Sequence, residues 1–255
     1  MAGQSEKVLI VTGGSRGIGA ATCLLGAAAG YGVIVNYASN VEAAERVAAS
    51  IHAKGGAAVA VRGDVALEAD VDHIFAAADR MGTLAGLVNN AGVLGPNIRV
   101  DELGMDRLQR MFAVNVYGAM LCSGRAVRRM STRFGGKGGA IVNLSSAAAK
   151  LGAPAVYVDY AAAKGAIDSF TVGLALEVAG EGIRVNAVRP GVIDTEIHGS
   201  GGDADRARRM GPNLPIPRAG TAEEVARAIL WLLSGEASYT TGTVIDVTGG
   251  RGIVP

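Results

Sequence analysis

The sequence has almost no excess charge: 24 basic residues face 23 acidic ones, for a net of +1. That argues against broad electrostatic capture of nucleic acid or of an anionic membrane surface. Cysteine is scarce. Cys23 and Cys122 lie far apart with no CxxC spacing, which reads as buried free thiols in a reducing compartment. His52, His73 and His198 are the only histidines and show no ligand spacing, so no metal is expected. Aromatic residues make up 4% of the chain, and the abundant alanine suits helices packed closely on a sheet. Residues 17–41 carry no formal charge, a length able to span a bilayer. However, Gly30-Tyr31-Gly32 interrupts the stretch, and Asn36 and Asn40 are costly in lipid. Glu6 and Lys7 precede only a short apolar run, unlike a secretory leader. A cytoplasmic protein is expected, with neither a membrane nor a nucleic-acid partner.

Apolar residues make up 49% of the 255, and glycines number 38. That supports a large core with many tight turns, and no composition break divides the chain, so one domain over 1–255 is expected. Apolar β-rich runs at 8–11, 33–37, 57–62, 84–88, 140–144, 183–188 and 243–247 alternate with helical stretches at 17–29, 41–54, 67–81, 104–132, 156–179 and 221–233. Continuous apolar strands separated by helices imply an α/β fold. The expected form is a single doubly wound Rossmann-type domain, a parallel sheet of about seven strands with helices on both faces. Thr12, Asp64, Asn89, Ser145 and Pro190 fall at strand ends, where such sheets bind ligands. Residues 196–217, rich in Gly, Asp, Arg and Pro with a short helix at 203–210, break the pattern. They read as a substrate lid, with a plain surface connection as the alternative.

Thr12-Gly13-Gly14-Ser15-Arg16-Gly17-Ile18-Gly19 follows the first strand and opens the first helix. Glycines there let the backbone approach a diphosphate, and the helix N-terminus faces it. Tyr160 and Lys164 stand at i and i+4, on one helix face. A free tyrosine titrates near pH 10 (about 10). A nearby ammonium is expected to lower that value, giving a phenol able to exchange a proton with a substrate oxygen. Tyr157 is a rival phenol, but residue 161 is alanine, so it lacks a lysine partner.

Taken in order, the Thr-Gly-x-x-x-Gly-x-Gly loop, Asn89-Asn90-Ala91-Gly92, Asn115, Ser145-Ser146, Tyr160-x-x-x-Lys164 and Pro190-Gly191 resemble the short-chain dehydrogenase/reductase family over essentially the whole chain. The resemblance implies Asn115, Ser146, Tyr160 and Lys164 as the catalytic set. Lys164 and Tyr160 would also meet the nicotinamide ribose, and Asn115 would hold a relay water. Ser146 lies one residue further from Tyr160 than is usual in the family, and Ser145 is the fallback. The resemblance further places the cofactor against Gly13, Ser15, Arg16, Gly17, Ile18 and Gly19. Asn36, Tyr37, Ala38 and Ser39, then Asp64, Val65, Asn90, Ala91 and Gly92, would follow on the adenosine side. Pro190, Gly191, Ile193 and Thr195 would lie on the nicotinamide side. A homotetramer is implied, built through the helices at 104–132 and 156–179.

Cofactor choice turns on charge beside the ribose 2′ position. NAD binders carry an acid about 20 residues beyond the glycine loop; here none occurs until Glu42. Arg16 and Ser39 suit a 2′-phosphate, so NADP(H) is preferred, with NAD(H) the alternative; Ala38 stands where many relatives have a second base. The expected reaction interconverts a secondary alcohol and a ketone. A sugar or polyol competes with a 3-oxoacyl thioester as substrate, and the layout is closer to the glucose-dehydrogenase-like branch. A non-catalytic dinucleotide-binding sensor of the same fold is the other reading. Arg206-Ala207-Arg208-Arg209, in the lid, would attract an acidic substrate or else form a solvated helix face.

Overall fold

The computed structural model describes residues 5–203 and 205–252. Residues 1–4 and 253–255 of the expected domain, residue 204 of the expected lid and the side chain of His198 lie outside what is described. Seven strands form one sheet: β1 (Ser5–Val11), β2 (Gly32–Tyr37), β3 (Ala58–Arg62), β4 (Gly82–Asn89), β5 (Gly139–Leu144), β6 (Ile183–Pro190) and β7 (Val244–Val247). The order is β3-β2-β1-β4-β5-β6-β7, and every neighbouring pair is parallel. The expected doubly wound Rossmann-type sheet is therefore present.

The strands are apolar throughout because both faces are covered. Val8, Leu9, Ile10 and Val11 have no exposed surface at all. On one face lie α3 (Glu68–Met81), α5 (Gly118–Met130) and α7 (Val158–Val178), meeting Ile10, Leu87 and Ile141 through Phe75, Met130 and Val178. On the other lie α1 (Gly17–Ala28), α2 (Val41–His52) and a C-terminal helix over Ala222–Leu233, meeting Leu9, Val35 and Val142 through Cys23, Val47 and Ile229. That last helix begins with a complete capping box, Thr221 accepting from the Glu224 amide and Glu224 from the Thr221 amide. The chain reverses its winding between β1 and β4, which opens a crevice at their carboxyl ends.

Two expectations need correction. The helix expected over 104–132 is not continuous: α4 (Met105–Phe112) passes into a π-helical turn at Ala113–Tyr117 before α5 begins. The wide turn surrounds Asn115, and such turns favour functional sites because they re-aim side chains. The lid helix is shorter than expected. Residues 196–217 hold α8 (Ile197–Ser200) and α9 (Arg206–Met210). A four-residue helix, α6 (Ala148–Leu151), also precedes α7, and the C-terminal helix is therefore α10.

A buried polar chain fixes α7 to the sheet. Asn89 Nδ2 donates to Asn143 Oδ1 at 2.8 Å and to Ser123 Oγ at 3.0 Å. Asn143 Nδ2 donates in turn to Thr171 Oγ1 at 2.9 Å, and that hydroxyl donates to the Ile167 carbonyl. All four side chains are buried. Asn143→Ala would remove two buried hydrogen bonds, the one it accepts from Asn89 and the one it donates to Thr171. A loss of about 1–3 kcal/mol is expected in denaturant unfolding; a loss below about 0.5 kcal/mol would show that the chain holds nothing together.

Candidate active site

The crevice contains two adjoining cavities. The larger, about 290 Å³, follows the β1–α1 turn and the ends of β2 and β3. Gly13, Ser15, Arg16, Gly17, Ile18, Tyr37, Ala38, Ser39, Asp64, Val65, Asn90, Ala91, Gly92 and Thr195 line it, as expected from sequence. The turn stays open because its glycines have no alternative. Gly13 and Gly17 have φ of 61° and 51°, where side chains are strained. A Cβ on Gly19 would lie 2.3 Å from the Gly13 carbonyl oxygen and 2.5 Å from Asn90 Nδ2. Gly19 is thus a packing residue beneath the turn rather than a wall of the cavity. Asn90 Nδ2 donates to the carbonyls of Thr12 and Gly13, and Thr12 Oγ1 accepts from the amides of Asn90 and Ala91. The β1 and β4 ends are clasped together by these four bonds.

Asn36 also lines the larger cavity, and its side chain is engaged within the protein. Its Oδ1 accepts from the Gly13 amide, and its Nδ2 donates to the carbonyls of Val61 and Gly63. Arg16 is exposed at the rim. Arg110, absent from the sequence reading, closes the Asp64 end of the larger cavity through an ion pair at 2.8 Å. Neither residue type nor spacing marked it, since α4 is separated from β3 by more than forty positions of chain (about forty) and only the fold joins them.

The smaller cavity, about 110 Å³, is lined by Ser145, Ser146, Tyr157, Tyr160, Lys164, Pro190, Gly191, Ile193 and Thr195, with Leu94 added by the β4–α4 loop. The two cavities share Ile18, Asn90, Gly92, Thr195 and Ile197. Ser145 Oγ donates to the Lys164 carbonyl at 3.2 Å, whereas Ser146 reaches the Tyr160 hydroxyl. The longer interval between Ser146 and Tyr160 is taken up by α6 and by a loop with Gly152, Ala153 and Ala155 left-handed. Lys164 Nζ donates to the Leu144 carbonyl at 2.7 Å and lies 5.5 Å from the Tyr160 ring centre. Asn115 lines neither cavity. Its Nδ2 donates to the Val93 and Met111 carbonyls, and its buried Oδ1 has no partner. A Cβ built on Gly92 would lie 2.9 Å from that oxygen and 3.8 Å from Lys164 Nζ, so the three converge.

The electrostatics overturn one expectation. Tyr160 is pushed up to about 12, not down: burial dominates, the Ser146 hydroxyl opposes it, and Tyr157 adds to it. Lys164 is pushed down to about 8 by burial, with Asp168 acting the other way. The ammonium therefore does not govern the phenol. Asp168 is itself held by Arg189 at 2.8 Å, which also pairs with Asp246 at 3.3 Å, and Asp246 with Lys150. Among the described residues no group of side chains is arranged to hold a metal, and no helix is long and apolar enough to cross a membrane.

A family model described as enoyl-(acyl carrier protein) reductase matches residues 13–251. The chain belongs to the short-chain dehydrogenase/reductase family. This family member is 53% identical to the uncharacterized oxidoreductase YgfF of Escherichia coli over 96% of its own length and 99% of that protein's. It is 36% identical to glucose 1-dehydrogenase 2 of Bacillus subtilis, over 98% and 96% of the two chains. Its fold matches a short-chain dehydrogenase from Burkholderia cenocepacia solved in complex with NADP. The TM-score is 0.88 at 34% identity, covering 96% of this chain and 98% of the other. This short-chain dehydrogenase/reductase is accordingly an oxidoreductase.

The Lys164 shift has a measurable sign. Its amine titrates near 8 when folded and near 10.5 when unfolded, so between those values the unfolded chain binds more protons. Its contribution to stability therefore rises with pH across that window. The stability of the wild type minus that of Lys164→Met is expected to increase from pH 8 to pH 10 in guanidinium melts, at most about 1.4 kcal/mol per pH unit. A flat difference would mean that the amine is not held in a desolvating site.

Proposed function

We propose that the protein is an NADP(H)-dependent oxidoreductase that interconverts a secondary alcohol and a ketone. The observation that carries this reading is the convergence of Tyr160, Ser146 and Lys164 in a cavity continuous with the glycine-walled one. The larger cavity fits a dinucleotide: side chains are absent where a diphosphate would pass, and Gly13, Gly17 and the α1 N-terminus face it. Bound there, the nucleotide would supply or accept hydride. Ser146 orients the substrate oxygen by hydrogen bonding. Tyr160, protonated at neutral pH because burial holds its value high, donates its proton to that oxygen during reduction and takes it back in the reverse direction. Lys164, fixed by the Leu144 carbonyl, would hold the nicotinamide ribose through its remaining N–H donors. The unpaired Asn115 Oδ1 suits a water that carries protons onward from Lys164.

The NADP(H) preference rests on Arg16 and Ser39 at the rim and on the absence of an acid at the end of β2; NAD(H) is the alternative. The substrate is a small alcohol or carbonyl compound, and the relatives named above make a sugar or polyol the leading class. A 3-oxoacyl thioester is the other: a 3-oxoacyl-[acyl-carrier-protein] reductase of Synechocystis is 37% identical. The whole chain acts as one cytoplasmic domain, with residues 196–217 as the substrate lid. Exposed Tyr117 at the end of the π-helical turn, Met120 on α5, and Val172 and Leu176 on α7, beside Gly165 and Gly173 with open space above them, support a homotetramer through these helices.

Tyr160→Phe is expected to lower kcat by about 100-fold or more toward a ketone such as diacetyl or a 3-oxoacyl thioester; near-full turnover would remove the proton role. Arg16→Ala is expected to raise the KM for NADPH about tenfold while leaving that for NADH in place. Equal KM values for the two nucleotides in the wild type would remove the cofactor preference.

A further inference from the structure

The basic cluster of the lid divides in the folded protein. Arg208 pairs with Asp205 and is 81% exposed, and Arg209 pairs with Asp203. Arg206, at the start of α9, instead turns inward with only 12% of its side chain exposed. Its guanidinium lies 5.4 Å from the centre of the Tyr157 ring. That ring meets Tyr160 edge-on at 5.6 Å and lines the smaller cavity. Arg251, just beyond β7, meets the same short helix at Met210, one turn along α9 from Arg206. It is half-buried, its Nη1 contacts Met210 Sδ at 3.8 Å, and it lies within electrostatic reach of both Tyr157 and Arg206. The lid and the C-terminal segment that carries Arg251 form one packed unit. The Ile216 amide donates to the Gly249 carbonyl at 3.0 Å, and Gly250 packs against Pro215.

One cation thus lies against the Tyr157 wall of the catalytic cavity and a second against the helix that carries the first, and the acids available do not balance them. Asp203 lies 3.7 Å from Arg206 but is shared with Arg209, which holds it at 2.5 Å. No carboxylate among the described residues forms an ion pair with Arg251. Asp159, next to Tyr160, is already paired with Arg107 at 2.7 Å. Like charges brought together under partial burial repel, and an anion placed between them turns that repulsion into two charge-assisted hydrogen bonds.

We propose that Arg206 and Arg251 form an anion-binding subsite at the mouth of the catalytic cavity, selecting carbonyl or alcohol substrates that carry a carboxylate or a phosphate monoester. This rests on the reading of that cavity as the place of carbonyl reduction. The anionic group sits beyond Tyr157, several bonds from the reacting carbon.

The test is calorimetric binding to the full-length protein saturated with NADP⁺, where a ketone binds without turning over, alongside turnover with NADPH. The probes are 5-oxohexanoate against its methyl ester, and dihydroxyacetone phosphate against dihydroxyacetone. In the wild type the anionic member of at least one pair is expected to bind about tenfold more tightly than its neutral counterpart. Which pair shows the preference identifies the anion. Arg206→Met and Arg251→Met are each expected to shrink that ratio about fivefold, and Arg206→Lys to keep most of it. Because the ratio is taken within each variant, a general loss of folded protein cancels. The proposal is overturned if neither anion outbinds its neutral partner, or if the ratio survives in both methionine variants. Turnover of the neutral ketones without any anion preference would leave the proposed reaction standing and remove the subsite alone.

Discussion

An ammonium group buried against a single backbone carbonyl is the constraint around which the rest of this molecule is arranged. Lys164 is 4% exposed, and its amine is tied to the Leu144 carbonyl at the end of β5. Desolvation of a charge is costly, so the surroundings must be fixed if the amine is to stay. α7 supplies that rigidity through Thr171 and Asn143, and Ser145 clasps the Lys164 carbonyl itself. Asp168, one turn further along α7, adds a counter-charge and is anchored by Arg189 on β6. The interactions that keep the lysine in place thus reach from β4 to β7, and the same helix holds Tyr160 in the crevice.

Much of this was legible in the sequence, for identifiable reasons. Strands covered on both faces leave uninterrupted apolar runs, and all seven could be placed to within a few residues. The Thr221 cap and the Gly55-Gly56 stop have local chemistry that does not depend on the fold. The glycine turn was legible because it follows a strand and opens a helix. The two-cavity arrangement gathers nearly all of the residues expected to meet substrate or nucleotide. Their individual roles belong to the proposal above.

What could not be read depends on distance through space rather than along the chain. A π turn leaves no signature in residue type, so Asn115 was placed on a regular helix that the structure interrupts. The resemblance placed Asn36 beside the cofactor, and it does line the larger cavity, but the bonds of its amide to Gly13, Val61 and Gly63 depend on the fold and left no mark in the sequence. The i, i+4 pairing of Tyr160 with Lys164 was correct as geometry, but its electrostatic consequence was misjudged, because burial outweighs a cation 5.5 Å from the ring. Arg110 reaches the larger cavity, and Arg251 the lid helix α9, from remote segments, and neither carried a local mark.

The strand order has a consequence for how the molecule is made. β1 lies between β2 and β4, and 70 residues, 12–81, separate β1 from β4 in the chain. A nascent chain can therefore assemble β3-β2-β1 while the other edge of β1 still lacks its neighbour. That edge is Val8-Leu9-Ile10-Val11, wholly apolar, and an open apolar edge is a template for pairing with another chain. Synthesis through Asn89 closes it, and each later strand extends the sheet in one direction only.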